Sequence, residues 1–201
     1  MYSSTTGSSN TALGSQSLQA NTTASENTAV GWQAMYTNTG GNSTAVGANA
    51  MYANTTGTYN VAVGNVALYT NTTGGQNTAV GRDALRLNTT ASHNTAVGYQ
   101  AGYSNTTGNG ITAVGSSVLF ANTTGTQNVG MGGFAPGLQY AALTSNTTGS
   151  QNNAFGVGAL TANTTAGANN AFGYNALAAN TTGAANSAFG HSALSYNTTA
   201  S

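Results

Sequence analysis

The sequence predicts an all-β fold, a parallel β-solenoid or β-roll of 17-residue coils. Three observations predict it: a fixed period, residue types that resist helix, and columns of like residues at each phase of the repeat. The period comes from Ala-(Val/Phe)-Gly, whose glycine falls at Gly14, Gly31, Gly47, Gly64, Gly81, Gly98, Gly115, Gly132, Gly156, Gly173 and Gly190, with intervals of 17 except for one of 16 and one of 24. Self-similarity at a fixed period marks a repeat architecture, and helical hairpin repeats need about 33 residues or more. Each unit also carries Gly, β-branched Val and Thr, and turn-forming Asn, all poor helix formers. Val61-Ala62-Val63-Gly64 alternates as a short strand does. Two short strands and two turns fill the unit, which makes one coil bonded to the coils on either side.

Stacking turns each phase into a column. One column is Leu13, Val30, Val46, Val63, Val80, Val97, Val114, Met131, Phe155, Phe172 and Phe189, and a second is Leu18, Met35, Met51, Leu68, Leu85, Gly102, Leu119, Leu143, Leu160, Leu177 and Leu194. These two are the expected core. Two more columns are nearly pure alanine, Ala12 to Ala188 with Gly130 as the exception, and Ala34 to Ala193. With Val inward, the alternating Ala79 column faces outward, and its constancy predicts a tight contact with another chain. Recurring Asn predicts side-chain ladders along the axis.

The missing residue of the short interval falls in Asn38-Thr39-Gly40-Gly41-Asn42, a turn. The seven extra residues lie between Gly132 and Asn146 and include Pro136, the only proline. Proline belongs outside a ladder. The predicted organisation is therefore solenoid over 1–132, an insert loop over 133–145, and solenoid over 146–201. About twelve coils at ~4.8 Å each give a rod of roughly 55 Å. Met1 falls in the Met35/Met51 column and the last coil stops at Asn197-Thr198-Thr199-Ala200-Ser201. That predicts a piece of a longer fibre, or end coils completed by the next subunit.

Composition excludes whole classes of function. Glu26, Arg82, Asp83 and Arg86 are the only charged residues, whereas Asn, Thr, Ser and Gly make 108 of the 201. With two basic residues and no net charge, the sequence offers no phosphate-neutralising surface, so nucleic acid is not expected as a partner. No cysteine is present for a disulfide, zinc site or thiol nucleophile. No apolar run approaches the ~20 residues of a membrane span, and Met1-Tyr2-Ser3-Ser4-Thr5-Thr6 is not a secretory signal. The two carboxylates lie ~16 Å apart along the axis, too far for a glycosidase pair. An enzyme, a cofactor and a metal site are not expected.

The run Asn94-Thr95-Ala96-Val97-Gly98-Tyr99-Gln100-Ala101-Gly102-Tyr103-Ser104-Asn105-Thr106-Thr107-Gly108 resembles repeats of phage and marine bacterial tail-fibre-domain proteins. Its Asn-Thr-Ala-Val-Gly core is similar to the head repeats of trimeric autotransporter adhesins, although the 17-residue unit is longer than the usual one. The resemblance implies a homotrimeric, surface-displayed shaft, on a virion or extracellular.

Three surfaces are candidates for function. The aromatic column Tyr36, Tyr52, Tyr69, Tyr103 and Phe120 can stack on sugars, and Phe134 and Tyr140 add rings beside the insert. Arg86 interrupts that column, where a cation–π contact accommodates it. Every Asn-Thr-Thr is a formal glycosylation sequon, at Asn21, Asn54, Asn71, Asn88, Asn105, Asn122, Asn146, Asn163, Asn180 and Asn197, as is Asn42-Ser43-Thr44. The same Thr and Asn rows could serve as an ice-binding face. The leading expectation is a structural fibre shaft that self-associates as a homotrimer or end to end. The alternatives are a module binding a cell-surface glycan or receptor, and ice binding.

Overall fold

The computed structural model describes residues 5–133 and 140–201. Eleven three-residue strands, from β1 (Thr11–Leu13) to β11 (Ser187–Phe189), form one parallel sheet in sequence order, and the described residues contain no helix. Like stands on like throughout: Thr78 pairs with Thr95, Ala79 with Ala96, and Val80 with Val97.

Each coil carries one strand rather than the two expected, yet the ladder does not stop at the strand. Asp83 donates its N–H to Asn65 in the preceding coil, and Leu85 donates to Ala101 in the following one. Leu87 and Thr89 continue the same pattern to Tyr103 and Thr106. Asp83 and Leu85 hold φ of 60° and 48°. Their left-handed conformation takes this part of the coil out of strand geometry while it remains bonded to both neighbours. Non-glycine residues resist that conformation by about 1–2 kcal/mol each, so the coil holds them there only because stacking over-determines the backbone.

The glycine after each strand turns the corner. Gly81 has φ of 131°, and a Cβ there would lie 2.5 Å from the carbonyl oxygen of Gly98 in the next coil. Both the backbone angle and the close approach demand glycine.

The core differs from the expected one. Strand residues 1 and 3 face out and the middle residue faces in. Ala29, Ala45, Ala62, Ala79, Ala96 and Ala113 are fully buried, whereas Val46, Val63 and Val97 are more than one-third exposed and Leu13 and Phe189 about two-thirds. The Ala column is therefore the inner wall of the sheet, and the Val/Phe column is an outer stripe. The facing wall supplies the second alanine column and the Leu/Met column, which is buried from Leu18 to Leu177. The lumen admits one large side chain per coil, so the strand can contribute only a methyl group.

The exceptions confirm that volume is the constraint. A Cβ on Gly130 would fall 2.5 Å from Val118 Cγ1, and Val118 is the valine in the second alanine column. Gly102 replaces leucine, and a Cβ there would lie 3.3 Å from Ile111 Cδ1, where Ile111 stands in a column otherwise held by Asn and, once, by Ser43. Each loss of volume is matched by a gain across the lumen.

The extra segment is narrower than 133–145. Gly132 donates its N–H to Val114, and the Tyr140 carbonyl accepts from Gly158, as Val157 accepts from Asn175 one coil later. Tyr140 is thus the first residue of the resumed coil, and Ala142 and Leu143 are buried core. Register survives the insertion, because β8 (Val129–Met131) pairs with β9 (Asn153–Phe155) with Met131 opposite Phe155.

Three outcomes follow for stability. Ala79→Leu overpacks the lumen and should lower stability by about 1–3 kcal/mol, read from the urea midpoint; weakened association at unchanged stability would contradict an inward Ala column. Gly81→Ala should cost more than the same change at Gly75, which has no forced φ. Deletion of residues 133–139 should leave the β circular dichroism signal intact, whereas removing Tyr140 as well breaks the 17-residue phase and should lose it.

Candidate binding surfaces

The repeat lays four rows along the rod. The first is the outward Val/Phe stripe. Its C-terminal part is a stack of rings, with Phe155–Phe172 centroids 4.6 Å apart and Phe172–Phe189 5.0 Å apart. A half-exposed Thr row, including Thr78 and Thr95, borders it on one side. On the other side, past the glycine corner, stand the exposed rings of Trp32, Tyr99 and Tyr174.

The second row is the predicted aromatic column, which the structure brings together. Tyr36, Tyr52 and Tyr69 stack at 5.1 and 5.2 Å, and Tyr103 stacks on Phe120 at 5.1 Å. Arg86 occupies the gap with its guanidinium 5.8 Å from the Tyr103 ring centre. Asp83 makes this possible. Its nearly buried carboxylate accepts Arg86 Nη1 at 3.1 Å and Arg82 Nε at 3.2 Å. The five rings are half-buried against one another. Tyr140 is exposed, and Phe134 lies outside the described residues.

The third row is the sequon column, and here the expectation is corrected. Asn21, Asn54, Asn71, Asn88, Asn105, Asn122, Asn146, Asn163 and Asn180 are all fully buried. Asn88 shows why. Its Nδ2 donates to Asn71 Oδ1 at 2.8 Å and to the Ala91 carbonyl at 3.0 Å, while its Oδ1 accepts from Asn105. The amides are rungs of a ladder inside the coil, so in the folded chain they are not glycan acceptors. Only Asn197 is partly exposed. A second buried Asn column crosses coils differently: Asn77 Oδ1 accepts the Asn94 N–H, and its Nδ2 donates to Ala91. The one-residue deletion costs the ladder a rung, since Asn38 donates to Gly40 and Asn21 Oδ1 has no partner.

The fourth row is threonine. Thr72, Thr89 and Thr106 donate their hydroxyls to carbonyls of the next coil, which leaves Thr73, Thr90 and Thr107 as the exposed members. With Asn inside and half of the Thr hydroxyls engaged, the free part of the Asn-Thr-Thr columns is one threonine wide.

The sequence did not reveal a groove of about 430 Å³ lined by Tyr140, Thr161, Ala178, Asn175, Ser192 and Tyr196 among others. Its signal was the change of the aromatic column to Thr144, Thr161, Ala178 and Ser195 after Phe120. Among the described residues, no group of three or more His, Cys, Asp or Glu is placed to hold a metal ion, and no helix is long and apolar enough to cross a membrane. His191 stacks on Tyr174 at 5.1 Å. No family model, curated protein or solved structure matches the chain.

The ladder predicts a steep response to its loss. Asn88→Ala removes two donated bonds, orphans Asn71 Oδ1 and leaves Asn105 Nδ2 with Gly108 alone, an expected cost of about 2–4 kcal/mol. Asn88→Asp should be worse still, because a buried carboxylate cannot donate to Asn71 or Ala91. Urea midpoints of the two variants check the order.

Proposed function

We propose that the protein is a structural fibre shaft, tail-fibre-like or displayed on a cell surface, whose copies associate side by side through the Val/Phe stripe. The observation that carries this reading is the facing of the sheet. An outward column that stays apolar from Leu13 to Phe189 would be an unusual feature on a surface meant only for water. Soluble monomers keep contiguous apolar patches small. A stripe one residue wide is self-complementary in register, because every copy repeats the same ~4.8 Å pitch. Three such stripes can converge on a common axis and close the assembly, in keeping with the resemblance to trimeric fibre repeats. Stacked Phe rings would then fill a wider seam at one end than Val fills at the other. A rod with few charges and hydroxyl- and amide-rich outer rows serves a mechanical and display role rather than a catalytic one.

The test is molar mass by light scattering. The wild type should be three chains at micromolar concentration. The triple variant Val46→Asp, Val80→Asp, Val114→Asp, which places the carboxylates in alternate coils ~9.6 Å apart, should be monomeric with its β signal retained, since these side chains face out and carboxylates in a dry seam cost several kcal/mol. A monomeric wild type defeats the reading, and a triple variant that stays trimeric moves the interface elsewhere.

A further inference from the structure

We propose that the exposed rings beside the Val/Phe stripe dock on the threonine row of a second copy of this chain, so that the seam joins unlike edges of neighbouring copies. The inference rests on the fibre reading and names the residues that fix its contacts. Width is the first argument. The stripe is one residue wide, so over a sheet roughly 50 Å long it offers about 250 Å². A stable interface takes about 800 Å² from each partner. The rows on either side must therefore enter the seam. Thr28 to Trp32 is five residues. That is at most about 13 Å of chain, and a band of that width brings the area to roughly 650 Å² for each copy.

The two flanks are unlike. One carries Trp32, Arg82, Tyr99 and Tyr174 at a single phase, and Trp, Tyr and Arg are the residue types that dominate interface energetics. The rings are spread along the rod, following β2 (Thr28–Val30), β6 (Thr95–Val97) and β10 (Asn170–Phe172). Tyr36, Tyr52 and Tyr69 cover one another, but Trp32 has only Ser15 and Ala48 at its phase in the adjacent coils and is 52% exposed. Tyr99 is held by the Arg82 guanidinium at 5.8 Å and Tyr174 by His191 at 5.1 Å. Rings oriented in advance lose less freedom when a partner arrives. The other flank, at the same coils, carries the half-exposed Thr28, Thr95 and Asn170. Among the described residues, the Thr28 and Thr95 hydroxyls have no partner within the chain. They can accept from Trp32 Nε1 and Tyr99 Oη of a second copy, which gives each buried ring the hydrogen bond it needs.

Symmetry then selects the pairing. Parallel copies arranged around one axis present the left edge of each to the right edge of the next. The ring edge of one copy therefore meets the threonine edge of its neighbour, and the contact recurs around the ring. An antiparallel pair laid face to face would instead set rings against rings and threonines against threonines.

The chain has no cysteine and one tryptophan, so introduced thiols and intrinsic fluorescence both read the seam cleanly. Tyr99→Cys chains refolded with Thr95→Cys chains should give covalent dimers with a short bis-maleimide, and neither variant should do so alone. Acrylamide should quench Trp32 about threefold less or weaker still in the wild type than in the monomeric Val46→Asp, Val80→Asp, Val114→Asp variant, because interface cores exclude water. Trp32→Ala should weaken assembly about tenfold or more, and in the monomeric background it should leave melting unchanged. Tyr59→Ala, at a ring 61% exposed on a different row, should leave assembly within about twofold. A trimer whose Trp32 is quenched as readily as in the monomeric variant overturns the inference and leaves the fibre reading standing, with the ring edge free for another partner. Cross-linking of Tyr99→Cys chains alone, or none from the mixture, overturns it as well. A monomeric wild type, or a valine variant that stays trimeric, overturns both readings.

Discussion

Each coil closes on a lumen wide enough for a single large side chain. That constraint comes from the backbone, because coils bonded to one another around most of their circumference have little freedom to widen. The leucine or methionine of one wall takes the available volume, and the strand opposite is reduced to alanine. Where the strand gives up even that methyl, at Gly130, Val118 grows to meet it; where the leucine is lost, at Gly102, Ile111 fills in. Such paired changes are what a close-packed interior requires.

The same constraint sorts the remaining residues. A three-residue strand has one inward and two outward positions, so once alanine is inward, valine and phenylalanine must be outward. The apolar stripe is thus a direct consequence of a narrow core. Burial of Asn follows from geometry as well. A lumen this thin brings backbone carbonyls such as that of Ala91 into the interior, and a buried carbonyl must find a donor. Asn71, Asn88 and Asn105 supply one per coil and pass the remaining oxygen to the next rung.

Much of this was legible in the sequence and some was not. The period, the parallel stacking, the position of the insertion and the aromatic column could all be read from spacing. The facing of the strand could not be read from hydrophobicity, because Thr-Ala-Val alternates equally well in either orientation and the scale prefers valine inside. The better signal was the constancy of the alanine column together with its Gly130 and Val118 exceptions, which is a statement about volume. The sequon asparagines looked like surface turns because Asn favours turns; here the turn folds the side chain inward. The Tyr140–Tyr196 groove was hard to see because its signature is an absence, the small residues Ala178 and Ser195 at a phase where earlier coils carry rings.

In-register stacking also explains why the chain has so few charges. A charge at a repeated phase would meet its own copy one coil away, at ~4.8 Å. Like charges at that separation repel by about 1 kcal/mol in bulk water and by about 3–4 kcal/mol near a protein surface. Over eleven coils such a column would oppose the ladder that builds it, and assembly of several chains would multiply the effect. Asn, Thr, Ser and Gln hydrate the rod without that penalty, and stacked amides and hydroxyls gain bonds where charges would repel, as Gln33 does in donating to Gln16. Glu26 stands alone between Ser9 and Asn42 at its phase, and the coil that holds the other three charges follows the same logic. Arg82 and Arg86 share Asp83 within a single coil, and their neighbours in the next coil are the rings of Tyr99 and Tyr103, each 5.8 Å from a guanidinium. One carboxylate offsets half of the positive charge around the coil and aromatic faces replace like charges along the axis, so the stack tolerates there what it excludes elsewhere.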